Sequence, residues 1–386
     1  MAKLRRVAVM IELDRPVVHH YQVFQGIERY ARECGHWQCI LNPHPQLDLK
    51  IRRKGMRIDG IVGRIWPDTA RCALKARVPM VNTMIHGRDL GVPSVLHDPQ
   101  EAGRMAAQHL LARGLRNFAC VGFFDAHSSL ELDAMRGVIR AAGYACSSCR
   151  VSRYYARTDA SWARFRRQLD EWMSLWSTPI GVFGAHDMLC RHVATACITH
   201  GLEVPFDVAL IGSANEPVVC RPEPTLTSID FGFERIGYHA AELLDELMDG
   251  APPPAGPIYL LPTELIPRQS TDVVAVDDPT VARAMRYIME RSHKPISVAD
   301  VARHVGTTPW TLLRLFHRYL GHTVEHFIIM LRHERLRRLL VESDEPLKVL
   351  AKESGFRDAI ELSKSFHRME GIAPSEYRKL RAGRRT

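Results

Sequence analysis

Two groups of side chains have the types and spacing to do chemistry. Near the end of the chain, Thr311, Arg314 and Arg318 recur at helical spacing and point outward from a run in which Leu312, Leu315, Phe316 and Tyr319 should bury. Glu361, Lys364 and Arg368 repeat the arrangement beside Leu362 and Phe366. A long planar Arg suits bidentate contact with guanine or phosphate, whereas Lys offers phosphate a point charge. The second group stands where apolar runs end: Asp14 and Arg15, Asp98, Phe123 and Phe124, His186 and Asp187, Asn215 and Glu216. Carboxylates and amides there can exchange hydrogen bonds with paired hydroxyls, and an aromatic face can cover a ring. Asp187 has two readings, ligand contact or helix cap, because it opens a helix directly after a strand. His186 alone reads equally as a packed histidine.

The elements that must hold the first group form a repeat. Ile296–Gly306, then Thr307-Thr308-Pro309, then Trp310–Leu320 is a short helix, a turn and a second helix. Pro346–Gly355, Phe356-Arg357-Asp358 and Ala359–Met369 repeat the plan. A glycine closing the first helix takes the left-handed conformation and lets the next start at a steep angle, a geometry that can present the second helix to a major groove. Charge agrees. From Pro279 onward there are 21 Lys and Arg against 12 Asp and Glu, which is the whole of the +9 excess, and the body before it is neutral. A basic segment behind a neutral body suggests nucleic acid held by that segment.

The second group is carried by alternating strands and amphipathic helices. Apolar runs at Arg6–Leu13, Trp37–Asn42, Ile58–Ile65 and Pro79–Ile85 alternate with helices, and Pro99–Arg113 forms a longer helix ending at Gly114. The pattern then restarts, with strands at Phe118–Phe123, near 145–150, at Ile180–Phe183 and at Val208–Gly212. A last helix, Glu234–Met248, and one closing strand, Tyr259–Ile266, finish the set. Such alternation predicts doubly wound parallel sheets covered on both faces, in two α/β lobes with the ligand crevice at the strand carboxyl ends.

At 386 residues the chain should hold two or three domains. The expected organisation is a two-lobed domain over 1–270, with lobe 1 near 1–98, lobe 2 near 115–230 and a crossover segment in each. A linker over 271–279, an all-α domain over 280–380 with two helix-turn-helix units, and a basic tail at 381–386 complete it. No apolar run reaches the roughly 20 residues of a membrane span, and Val7–Ile11 is too short for a signal peptide, so no membrane partner and a cytoplasmic location are expected. Nine unevenly spaced cysteines fit free thiols, and the lone Cys146–Cys149 pair lacks the companions of a metal or redox site. No cofactor and no metal is expected. Phosphate-binding, dinucleotide-binding and nucleophile-elbow motifs are all missing, which argues against an enzyme.

Several junctions resemble known families. His109–Ala119, Gly201–Gly212 and Pro224–Ile229 are similar to LacI-type effector domains, which share the α/β two-lobed periplasmic-binding-protein-like (type I) fold. Sheet formation from Arg6 leaves no room for the DNA-binding head that LacI-type proteins carry in front. Gly355-Phe356, Phe366 and the closing Gly371-Ile-Ala-Pro374-Ser-Glu-Tyr377-Arg378 resemble the AraC-type signature, echoed by Phe316, Gly321 and Thr323. That resemblance puts Trp310, Leu313 and Arg314, then Ala359, Ile360, Glu361 and Lys364, at base-touching positions, with thymine methyls as partners for the apolar ones. Trp310 reads equally as a packing residue, and Glu361 as a local cap.

The two parts together, with Ile266–Asp272 and Ala284–Ile288, resemble the family of xylose-operon regulators. The resemblance implies a homodimer that binds double-stranded DNA at direct-repeat half-sites, roughly 34 Å apart for successive groove turns. It also implies a pentose effector between the lobes and activation of a pentose (xylose-type) catabolic operon, with RNA polymerase as a partner. Two departures leave the sugar open. Sugar-binding relatives place an Arg where Ala134 stands, with Arg136 nearby, and an Asp where Ala214 precedes Asn215. A different sugar or polyol, or a repressor, is the alternative.

Overall fold

A computed structural model describes residues 4–13, 18–51, 57–85, 90–272 and 278–382. The chain divides into two compact units, Met1–Val273 and Val274–Thr386. Asp14 and Arg15 lie outside the described residues, as do 273–277 within the expected linker and the last four residues of the basic tail.

The first unit opens with β1 (Arg5–Met10), α1 (Val18–Cys34), β2 (Trp37–Leu41), α2 (Pro45–Ile51), β3 (Gly60–Gly63), α3 (Pro67–Ala76), β4 (Met80–Asn82) and β5 (Val95–His97). A parallel sheet in the order β2-β1-β3-β4 results. Every residue of β3 is buried, the signature of a strand covered on both faces. The chain then crosses on α4 (Pro99–Ala112) into β6 (Asn117–Phe123), α5 (Ala126–Ala141), β7 (Cys146–Val151), α6 (Asp159–Met173), β8 (Ile180–Gly184), α7 (Asp187–Thr199), β9 (Val208–Ser213), α8 (Pro217–Cys220) and β10 (Thr227–Asp230).

From there α9 (Phe233–Met248) returns to the first lobe, packing on α1 and across β3. The segment expected as one closing strand is two, divided at Pro262. β11 (Ile258–Leu260) runs parallel to β5, and β12 (Glu264–Ile266) pairs antiparallel with β10. A proline has no amide to donate to a ladder, so the strand breaks there and the halves serve different sheets. The second sheet runs β12-β10-β9-β8-β6-β7, parallel except at β12. Its core joins Phe123, Phe165, Leu169, Trp172 and Val182 with neighbours from α6, α7 and β9.

Both lobes depend on helix pairs that approach closely through glycine. A Cβ on Gly26 of α1 would lie 1.9 Å from the Glu234 carbonyl oxygen of α9, and one on Gly237 would lie 2.0 Å from that of Val23. In the second lobe a Cβ on Gly103 of α4 would lie 2.1 Å from the Glu131 carbonyl of α5.

The second unit contains α10 (Pro279–Arg291), α11 (Val298–Val305), α12 (Pro309–Leu320), α13 (Val324–Glu342), α14 (Leu347–Ser354), α15 (Ala359–Glu370) and α16 (Pro374–Ala382). Gly306 and Gly355 end α11 and α14 at φ 73° and 84°, in the left-handed region that costs any other residue strain. The side chains of Thr308 and Asp358 then cap α12 and α15. Leu336, Leu340, Leu350, Phe356, Leu362 and Phe366 form the core of the second helix-turn-helix.

The glycine contacts are testable. Gly237→Val should destabilise the protein by about 2–3 kcal/mol, because backbone must move to admit the side chain. Gly137→Ala, on α5 with open space around it, should stabilise by about 0.5–1 kcal/mol. Urea denaturation of both variants beside the parent reads the two signs.

Candidate functional site

A cavity of about 240 Å³ lies in the first unit at the carboxyl ends of strands from both sheets. Its wall takes His19 and His20 from α1, Arg64 after β3, Met84 and Ile85 after β4, and His97 from the end of β5. The second lobe adds His127 of α5, Arg153 after β7, Ala185 and His186 after β8, and Ser213 and Ala214 at the end of β9. Phe231 and Phe233, where the chain returns, complete it. This is where open α/β sheets hold ligands.

The lining is a network of rings. His19 lies 5.2 Å from Phe233 and 4.7 Å from His20, and His97 lies 4.1 Å from Phe231, centre to centre. The His97 and His127 Nε2 atoms are 3.4 Å apart, so one ring donates and the other accepts. His127 Nε2 stands 3.8 Å from Oε1 of Glu131, which also accepts from Ser213 Oγ at 2.9 Å. Glu131 is wholly buried, its Oε2 has no hydrogen-bond partner, and burial pushes its carboxyl well above the usual range. Burial likewise holds the His19 imidazole well below its ordinary range and brings His186 down to about 4. His186 Nδ1 accepts from the Met188 amide, which places its ring proton on Nε2. Arg153 donates to Asp125 at 2.6 Å and lies 4.6 Å over the Phe123 ring. Arg64 lies 4.2 Å over Trp66 and 3.8 Å from Glu12.

Of the residues expected to bind ligand, His186 lines the cavity, and Phe123 supports it from the core beneath Arg153. The structure gives most of the others different work. Asp98 accepts from the Gln100 and Glu101 amides as the cap of α4. Phe124 is 70% exposed, and Arg136 pairs with Asp133 on its own helix. Asp187 is fully buried, accepting from Ser228 Oγ at 2.6 Å and from the Glu216 amide at 2.8 Å. Asn215 donates to Asp230 and accepts from Arg268. Glu216 precedes α8 at its N-cap position.

Asp187, Asn215 and Glu216 act at one remove, on the β9–α8 loop. Ala214 and Asn215 take φ 103° and 51°, strained values for residues with a Cβ. The loop is held by hydrogen bonds from the Ala214 amide to the Ile229 carbonyl, from the Asn215 amide to Ser228 Oγ, and from the Glu216 amide to Asp187. Sequence reasoning missed His19, His20, Arg64, His97, His127, Arg153, Ser213, Phe231 and Phe233. His97 and Ser213 stand one and two positions from chosen residues, so the strand-end signal was present but pointed to a neighbour.

In the second unit Trp310 and Ile360 are each 68% exposed at the starts of α12 and α15. Arg314, Arg318, Lys364 and Arg368 are exposed, while Thr311, Leu313 and Ala359 are half-buried. The Arg314 guanidinium lies 4.9 Å over the Trp310 ring. Thr311 shares a hydrogen bond with the capping Thr308. Glu361 accepts from the Arg357 amide at 2.7 Å, the local capping role that was its other reading. Leu312 and Phe316 bury as expected, whereas Tyr319, expected in the core, is 37% exposed at the end of its helix. Arg332 of α13 donates to the Ser292 and Lys294 carbonyls, and Arg335 to that of Glu353, so both fasten helices together.

Comparison with known proteins agrees with both halves. Residues 107–271 match a periplasmic binding protein-like domain and residues 301–380 a helix-turn-helix domain. The xylose operon regulatory protein of Haemophilus influenzae is 27% identical over 291 residues, 74% of each chain. Its Escherichia coli counterpart is 28% identical over 219 residues, 56% of each chain. The solved structure of the xylose-binding transcription activator xylR superposes with a TM-score of 0.75 at 22% identity, covering 98% of this chain and 99% of that one. Along most of its length the chain is similar to XylR-type transcription regulators. It fuses a periplasmic binding protein-like domain to an AraC-type helix-turn-helix domain. A transcriptional regulator CelR–cellobiose complex matches at a TM-score of 0.55 and 23% identity over 70% of this chain, a likeness of fold.

Burial raises the Asp187 carboxyl to about 7, against partial relief from Ser228 and the Glu216 amide. A folded value above the unfolded one means that the stability this group contributes is present below about pH 4 and fades as pH rises toward 7. Asp187→Asn has the same shape and no such titration. Its stability relative to the parent should therefore rise between about pH 4 and pH 7, as thermal melts across that range would show; a constant difference would contradict the burial argument.

Proposed function

We propose that the chain is a cytoplasmic, ligand-controlled transcription factor whose effector is a small sugar-like molecule held in the histidine-lined cavity. The observation that carries this is the pairing, in one polypeptide, of an interlobe cavity of monosaccharide size with two exposed helix starts carrying Trp310–Arg314 and Ile360–Lys364. Binding between lobes favours one lobe arrangement over another by the difference in affinity for the two. A homodimer would convert that difference into a changed presentation of four reading helices on direct-repeat half-sites. The names of the relatives support a sugar effector and control of a catabolic operon. Likeness to xylR, a xylose-binding transcription activator, supports activation through RNA polymerase rather than repression.

On DNA, Arg314, fixed over Trp310, is the side chain best placed for bidentate contact with a base, and Lys364 for a phosphate. Sites selected by the full chain from a random duplex pool should contain two spaced half-sites. Arg314→Ala should then weaken binding to the selected site by about tenfold to a hundredfold and relax preference at one base step. Lys364→Ala should weaken binding to all sequences alike and flatten the salt dependence. An unchanged footprint and affinity for Arg314→Ala at physiological salt would remove Arg314 from the base-reading set.

A further inference from the structure

We propose that Ile360 recognises the C5-methyl group of a thymine, so that the second helix-turn-helix selects its half-site by an apolar contact instead of a base hydrogen bond. This rests on the reading of α12 and α15 as the helices that meet DNA. Among the described residues of the second unit, Trp310 and Ile360 are the two most exposed large apolar side chains. Each is the second residue of its helix, α12 starting at Pro309 and α15 at Ala359. The buried anchors Phe316 and Phe366 stand at matching places further along, so the exposure recurs at one position of the repeat.

The polar side chains around Ile360 have work of their own. Asp358 accepts from the Ile360 and Glu361 amides. Glu361 Oε2 accepts from the Arg357 amide at 2.7 Å, and Arg357 Nε donates to Asp358 at 3.1 Å. The Glu361 carboxylate is thereby engaged in the cap, although its chemistry would also suit the cytosine amino group. Ser363 is half-buried, and Ser365 shares a hydrogen bond with His333. Lys364, one turn after Ile360, is exposed, and an ammonium lacks the planar fork that reads two acceptors on one base. Ile360 is left as the side chain that the start of α15 offers to a base. Recognition helices meet base edges with their amino-terminal residues, and the thymine methyl is the apolar group that the major groove displays.

The first unit shows the contrast. There the exposed apolar residue is Trp310, and the Arg314 guanidinium lies 4.9 Å over its ring. That support orients a fork suited to the two acceptors of guanine. Isoleucine has no π face, so Lys364 gains no equivalent support from Ile360. The repeat therefore divides its work, with polar reading in the first unit and methyl reading in the second. A methyl reader separates thymine from deoxyuridine, which differs only by that group. It accepts 5-methylcytosine, which carries its methyl at the same place.

Fluorescence anisotropy tests this with the full chain at fixed salt, on a duplex selected by that chain from a random pool. Thymines are replaced singly by deoxyuridine, which removes one methyl group and keeps every base-pair hydrogen bond. At a thymine of one half-site the parent's affinity should fall about threefold to fivefold, the worth of one buried methyl group. Ile360→Ala should bind the selected duplex more weakly by a similar factor and be indifferent to the exchange at that thymine, while Ile360→Val keeps part of the penalty. Alanine favours a helix at an exposed position, so folding is not at risk. At the same position 5-methylcytosine paired with guanine should bind more tightly than cytosine paired with guanine. The salt dependence of Ile360→Ala should match the parent's, because no charge is lost. The proposal is overturned if no thymine shows a penalty, or if every penalty found in the parent persists in Ile360→Ala; either result leaves DNA binding by the second unit intact. Failure of the full chain to select any duplex would remove the DNA-reading assignment itself, and the proposal with it.

Discussion

The cavity exists because two pairs of helices come closer than side chains normally allow. Gly26 and Gly237 let α1 and α9 touch backbone to backbone, and those helices carry His19 and Phe233 at their amino-terminal ends. Gly103 does the same for α4 and α5, which begin beside His97 and His127. Each contact thus lies a turn or two behind a pair of rings that must meet in the wall. Moving either pair apart by the depth of a methyl group would separate His19 from Phe233, or His97 from His127. Packed interiors resist such adjustment, so the glycines set the width of the site as well as the stability of the lobes.

Beneath the second lobe's share of the wall, a buried carboxyl does comparable work. Asp187 ties the start of α7 to Ser228 on β10 and to the Glu216 amide, and so holds the strained Ala214–Asn215 turn against the cavity. Gly212 is required for this, since a Cβ there would lie 2.0 Å from Asp187 Oδ1. The polar network is closed around itself. Its members shape the wall without offering ligand a hydrogen bond.

That division explains what could be read from the sequence. The reading helices were legible because their signals are local: a glycine cap, a capping Thr or Asp, and apolar residues at helical spacing, all within one short stretch of chain. The lobes were legible from the alternation of strands and helices. The cavity was not, for a physical reason. Strand ends attract Asp and Asn both for ligands and for capping the helix that follows, and composition does not separate the two uses. Asp98 was claimed by the α4 amides and Asn215 by Arg268 and Asp230. His19, Phe231 and Phe233 belong to the wall only because α9 crosses back to the first lobe, and Pro262 was the sole local hint that the chain changes sheets there.

Charge poses the same problem in the second unit. The basic excess suggested a nucleic-acid surface, yet many of its arginines are committed to carbonyls. Arg283 reaches Val305, Arg332 reaches Ser292 and Lys294, Arg335 reaches Glu353, and Arg378 reaches Glu345. Each bond satisfies a carbonyl near a helix end or in a turn and fixes one helix against another, and it withdraws that guanidinium from any phosphate. Arg314, Arg318, Lys364 and Arg368 are exposed on the two reading helices instead. A count of basic residues therefore overstates the phosphate contacts and the steepness of the salt dependence. What the committed arginines supply is rigidity: recognition helices whose side chains discriminate between bases must be held in fixed register, and carbonyl-anchored guanidinium groups provide that hold.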